Sequence, residues 1–165
     1  MVDKAAKQDK NGTGFILLKK MENYITGFER LCKLRLKGKY NNITLINVYA
    51  PTEDHTEEIT EQCYDNLQYM PDKTPKNDII IIILGDVTAQ LRKERLYNEV
   101  AGQHTLHEET NRNGELLCEY ACANNVVNMS TNFQNKRIHK ITWLSPDQNT
   151  ASQIDHIIIN ANIKG

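Results

Sequence analysis

From Leu31 to Lys37 apolar and basic residues alternate, with Cys32, Leu34 and Leu36 on one face of an extended segment and Lys33, Arg35 and Lys37 on the other. That period of two predicts a half-buried strand. Gly38 to Asn42 is turn-rich and Ile43 to Tyr49 resumes the strand pattern, so the two segments are expected to form a hairpin. Pro51 ends it, because proline cannot donate to a ladder. Glu53, Asp54, Glu57 and Glu58 then suit the positive end of a helix, and Ile59, Cys63, Leu67 and Met70 recur at helical spacing up to Pro71 and Pro75. The run Ile79 to Leu84 predicts a strand buried on both faces. Gly85 lets the chain turn tightly behind it, and Asp86 is expected to project from the sheet rim. A second helix is predicted from about Gly114 to Asn124, burying Leu116, Leu117, Tyr120 and Ala121 and ending in the left-handed conformation at Asn124-Asn125. Val126 to Met129, Ile138 to Trp143 and Ile154 to Asn160 read as short strands. The polar stretch from Ala89 towards Gly114 carries no assignable period.

Composition narrows the picture only a little. A length of 165 residues, 39% hydrophobic and 25% charged, is that of one soluble globular domain. Residues 1–12 are polar and lysine-rich and read as a disordered tail, leaving 13–165 as the domain. Cys32, Cys63, Cys118 and Cys122 are scattered without metal-ligand spacing, which favours free thiols and an intracellular setting, nucleus and cytoplasm being indistinguishable. No apolar run is long enough for a bilayer, and no membrane partner is expected. The net charge of −1 is not that of a strongly basic nucleic-acid binder. Two basic clusters stand out nonetheless: Arg92, Lys93 and Arg95, and Lys136, Arg137, His139 and Lys140. Either could touch phosphates, although a charge cluster is usually a solvated face.

The candidate chemistry lies at strand ends. Asp86 closes the isoleucine strand, where it is either a turn cap or a cation-holding carboxylate. Tyr49 closes the strand before Pro51. Asp155 stands within an apolar strand, where an unpartnered carboxylate is expensive, so it requires a metal, an imidazole or backbone donors. Trp143 is readable as core or as a ligand platform, and His156 as an exposed neighbour of Asp155.

Taken in order, Asn47-Val48-Tyr49-Ala50-Pro51-Thr52, the isoleucine strand into Gly85-Asp86-Val87-Thr88-Ala89, Asn111-Arg112-Asn113-Gly114 with its helix, His139-Lys140-Ile141-Thr142-Trp143-Leu144-Ser145-Pro146-Asp147, and Gln153-Ile154-Asp155-His156 resemble the endonuclease/exonuclease/phosphatase superfamily. The likeness is closest to the endonuclease domain of RTE or BovB-type non-LTR retrotransposons and to craniofacial development protein 2-like proteins. It runs from about Gly12 to Asn160.

The resemblance implies an α/β fold, a sandwich of two β-sheets flanked by helices, cleaving DNA phosphodiester bonds with Mg²⁺. Tyr49 then corresponds to a tyrosine on the scissile phosphate, and Asp86 to the aspartate that places the attacking water and touches the metal. Thr88 stands where the family has an asparagine whose amide holds the phosphate. Asp155 corresponds to the carboxylate that orients a catalytic histidine elsewhere, and Trp143 to an aromatic beside the target nucleotide. Lys136, Arg137 and Lys140 are the expected phosphate contacts.

Three departures stand against a working nuclease. A metal-binding glutamate and a Ser-Asp-His segment of the family pattern have no counterpart in the chain, and Thr88 lacks an amide. The expectation is a partial sandwich without its first and last strands, catalytically degenerate, with exposed sheet edges that invite association. The alternative is a non-catalytic module that binds nucleic acid or protein.

Overall fold

A computed structural model describes residues 25–28, 30–72 and 78–161, so the expected tail over 1–12 lies outside the described residues. The main sheet contains β1 (Ile25–Phe28), β2 (Leu31–Leu36), β3 (Asn42–Tyr49), β4 (Asp78–Asp86), β5 (Val126–Asn128) and β8 (Asp155–Asn160) in the order β1-β2-β3-β4-β8-β5. A small second sheet pairs β6 (Trp143–Leu144) with β7 (Ala151–Ser152). The expected hairpin is present: β2 and β3 are antiparallel, with Leu31 opposite Val48 and Leu36 opposite Ile43. β3 and β4 are parallel, and the helix α1 (Glu57–Asp72) makes the connection that parallel strands require.

Helix α2 (Arg112–Asn124) begins at the side chain of Asn111, which accepts the Gly114 N–H, and ends at Asn125 with φ 52°. Both helices pack on one face of the sheet. Leu31, Ile46, Val48, Ile83 and Ile158 meet Cys63, Tyr64, Leu67 and Met70 of α1 and Leu117, Tyr120 and Ala121 of α2. Tyr64 donates its hydroxyl to the Asn113 carbonyl (3.0 Å), joining the two helices inside this core.

Four local expectations change. The isoleucine strand is not buried equally on its two faces: Ile83 is fully enclosed under the helices, whereas Ile82 and Leu84 on the other face are half-buried. Lys33 shares the helix-covered face with Ile46, and its Nζ reaches the Met70 carbonyl at 3.3 Å. A long stem with a terminal cation lies comfortably over apolar neighbours and ends at the negative end of α1. That helix runs through Pro71 instead of closing before it. Ile138 to Trp143 is not one strand; Arg137–His139 forms a 3₁₀ turn and only Trp143–Leu144 is extended.

Candidate active site

The sheet register gathers the three strand-end residues. Tyr49 pairs with Asp86 between β3 and β4, and Asp86 pairs with Asp155 between β4 and β8. Directly paired residues share a face, so a phenol and two carboxylates form one row at one end of the sheet. The row depends on Gly85. Its φ is +123°, and a Cβ there would stand 2.2 Å from the Val48 carbonyl oxygen, so only glycine lets β4 run this close to β3 before Asp86. Asp86 is half-buried, and burial raises its pKa; the Asp155 charge raises it further, while the Thr88 N–H donated to Oδ1 (2.9 Å) opposes both. The Arg30 guanidinium lies 5.8 Å from the centre of the Tyr49 ring.

Thr88 behaves differently from a phosphate-binding amide. It occupies the left-handed region (φ 47°), costly for a β-branched residue, and is 8% exposed. Its hydroxyl donates to the Pro51 carbonyl (2.8 Å) and accepts from Asn113 Nδ2 (2.7 Å). Asn111 Nδ2 donates to the Thr88 carbonyl (2.9 Å), and Asn111 Oδ1 accepts the Gln90 N–H (2.8 Å). The Asn111-Arg112-Asn113-Gly114 motif therefore braces the loop after Asp86 from behind, a role its sequence did not disclose.

Asp155 is the first residue of β8, at the strand's end and not in its apolar middle. Thr142 Oγ1 accepts the N–H groups of both Ile154 (3.0 Å) and Asp155 (3.1 Å), tying the segment before β6 to the row. The neighbouring Trp143 is 43% exposed. Lys136 and Arg137 are exposed at the 3₁₀ turn, whereas Lys140 Nζ donates to the Thr105 carbonyl (3.3 Å).

His156 is not exposed; it is 2% accessible beneath the row. Its Nε2 lies 2.9 Å from the Ala89 carbonyl and its Nδ1 3.0 Å from Asn128 Nδ2. Burial lowers its pKa to about 4.

Among the described residues no three His, Cys, Asp or Glu side chains gather as a metal-binding group, and no helix is long and apolar enough to cross a membrane. A cavity of about 490 Å³ lies elsewhere, near the starts of the two helices, lined by Glu53, His55, Glu57, Gln90, Glu109 and Asn113 among others.

No family model matches the chain. Craniofacial development protein 2 of Bos taurus is 35% identical over 153 residues, and that of Tragulus javanicus 34%. Each alignment covers 90% of this chain but only 25% and 26% of those proteins, so the chain spans about a quarter of the relatives' length. The endonuclease domain of TRAS1, a telomere-specific non-LTR retrotransposon, superposes with a TM-score of 0.55 at 13% identity, over 82% of this chain and 52% of that one. The chain therefore shares the fold of a nuclease domain. The 3′-5′ exonuclease NExo from Neisseria meningitidis superposes likewise, with a TM-score of 0.57 at 14% identity over 82% and 54% of the two chains. The mixed α/β architecture with two sheets thus matches endonuclease/exonuclease-type folds, the fold class expected from the sequence.

Proposed function

We propose that this domain derives from a Mg²⁺-dependent DNA endonuclease of the non-LTR retrotransposon kind, and that its hydrolytic step is weakened in this chain. One observation carries the second half: the Thr88 hydroxyl is spent on Pro51 and Asn113. No amide stands at that position to hold a phosphate. Losing one preorganised donor of developing charge costs about 10²–10³ in rate.

The row supports the rest. Tyr49 is suited to a phosphate oxygen, and Asp86, with its raised pKa, to holding the attacking water. Two adjacent carboxylates are hard oxygen donors whose repulsion a divalent cation relieves, so the donor set suits Mg²⁺, with Asp86 as the ligand beside Asp155. When bound, Mg²⁺ neutralises charge on the phosphate. The exposure of Trp143, Lys136 and Arg137 supports a role in meeting nucleic acid by stacking and charge.

The test is nicking of supercoiled DNA by the purified chain in Mg²⁺. Slow nicking that Asp86→Ala abolishes and Thr88→Asn accelerates is expected. Nicking unaffected by Asp86→Ala would overturn the assignment, and a Thr88→Asn variant no faster than wild type would overturn the stated cause of weakness. The exposure of Lys136, Arg137 and Trp143 favours a second reading, a module that binds nucleic acid without cutting it. It requires salt-dependent DNA affinity without any nicking.

A further inference from the structure

The loop that follows Asp86 is held from two sides. One brace is the Thr88, Asn111 and Asn113 network. The other is His156, which reaches from β8 under the sheet end to the Ala89 carbonyl. That carbonyl only accepts, so Nε2 carries the proton and donates. Nδ1 is then the acceptor for Asn128 Nδ2, whose orientation follows from its own Oδ1 accepting the Ser130 N–H at 3.0 Å. Asn128 itself is 2% exposed, and its N–H is held by the Val100 carbonyl (2.8 Å).

Every member of this chain of bonds is therefore oriented by another, from β5 through β8 to the loop. On the sheet, His156 is paired with Gly85, the residue before Asp86. Residue 156 thus meets both flanks of Asp86: its backbone pairs with the glycine in the ladder, and its imidazole holds Ala89 through the carbonyl. Between them, the Thr88 N–H reaches Asp86 Oδ1 at 2.9 Å and the Val87 N–H reaches the Ile154 carbonyl at 3.2 Å. A buried polar side chain with both nitrogens engaged specifies a geometry that an apolar residue of similar size leaves open.

We propose that neutral His156 is a positioning residue of the candidate active site, aiming Asp86 by clamping the Ala89 carbonyl through Nε2–H while Asn128 holds Nδ1. The inference deepens the nuclease reading and rests on it for its kinetic consequence, but its structural content is testable alone. His156→Leu removes both bonds. His156→Gln keeps one donor and one acceptor and serves as the rescue. Ile158→Val, in the same strand and fully buried, controls for lost packing.

The first measurement is the amide proton of Thr88 in the full ¹⁵N-labelled chain, with the His156 ring nitrogens read in the same sample. Wild type is expected to show a neutral ring protonated at Nε2. In His156→Leu the Thr88 amide is expected to lose at least about tenfold in exchange protection beyond the change in the most protected core amides. His156→Gln should recover most of that protection, and Ile158→Val should change all amides alike. In Mg²⁺-dependent nicking, His156→Leu should lower kcat by about tenfold or more with KM within about twofold, the pattern of a misplaced reacting group.

A Thr88 amide that keeps its relative protection in His156→Leu, or one that Ile158→Val disturbs equally, would overturn the proposal. If His156→Leu does not fold, a wild-type ring protonated at Nδ1 overturns it and one protonated at Nε2 supports it. Absence of nicking by wild type counts against the nuclease reading and leaves the amide result to decide this one.

Discussion

Asp86 and Asp155 stand directly opposite each other on neighbouring antiparallel strands, two like charges paired at the end of the sheet. Such a pair costs stability. Burial and the Asp155 charge hold the Asp86 pKa above its ordinary value. For such an acid the stabilising contribution is complete below the unfolded pKa and is lost as pH rises through the folded one. Asp86→Asn keeps an acceptor for the Thr88 N–H and removes the charge. Its Tm is therefore expected to exceed that of wild type at pH 7, with the gain shrinking on acidification towards the ordinary carboxylate range, as thermal unfolding followed by circular dichroism at several pH values will show. The same variant should lose nicking.

His156 imposes the opposite pH dependence. Burial lowers its pKa to about 4, so the folded state prefers the neutral ring and the unfolded chain takes up the proton first. Stability is then full above the ordinary histidine pKa of about 6.5 and is lost between there and about 4, by an amount on the order of 3 kcal/mol. His107, whose Nε2 accepts the Gln153 N–H and whose pKa burial also lowers, acts in the same direction. Urea midpoints measured from pH 7 to pH 4 should fall, and the fall should be smaller in His156→Gln.

Thr88→Val keeps the shape and the strained φ but removes the hydroxyl that serves Pro51 and Asn113. A buried amide nitrogen then loses one of its partners, so a loss of about 1–3 kcal/mol is expected in chemical denaturation. A change below about 0.5 kcal/mol would show that the hydroxyl bonds contribute little.

Gly85→Ala is the most severe single change expected. The new Cβ would sit 2.2 Å from the Val48 carbonyl oxygen and 2.5 Å from Asn47 Oδ1, at a φ of +123°. Strands β3 and β4 must separate to admit it, with a loss of about 3 kcal/mol or more or failure to accumulate as folded protein. Soluble yield and Tm beside wild type are the measurements.

DNA affinity, if carried by the exposed basic turn, should be salt-dependent. Replacing Lys136 and Arg137 by Ala is expected to reduce the slope of log affinity against log salt by about 0.9 for each duplex phosphate that the variant no longer neutralises. Lys140→Ala should differ, because its ammonium already serves the Thr105 carbonyl and its removal loosens the loop as well.

Much of this site was readable before the fold. Asp86 follows from a glycine behind an isoleucine run, and Tyr49 from a strand stopped by Pro51. Asp155 stood out as a charge beside apolar positions. Thr88 was legible as a departure from a family motif, but its engagement with Asn113, 25 residues away, was not. His156 was misread because strand alternation says which face a residue takes, not whether that face is covered. Here the loop at Ala89 and the Asn128 side chain cover it.

The linear order of residues by itself determined the strands and helices with strong periodicity, the β2–β3 hairpin, the asparagine that ends α2 and the superfamily resemblance. Those features depend on neighbours within a few positions, where backbone sterics and side-chain spacing act directly. Only the tertiary structure decided that Tyr49, Asp86 and Asp155 share a row, that Lys33 lies against a helix end, and that His156 is buried against the Ala89 carbonyl. Each of these joins segments distant in the chain. Register and burial are collective outcomes of packing two helices on one face of a sheet, and no local pattern encodes which polar groups that packing encloses.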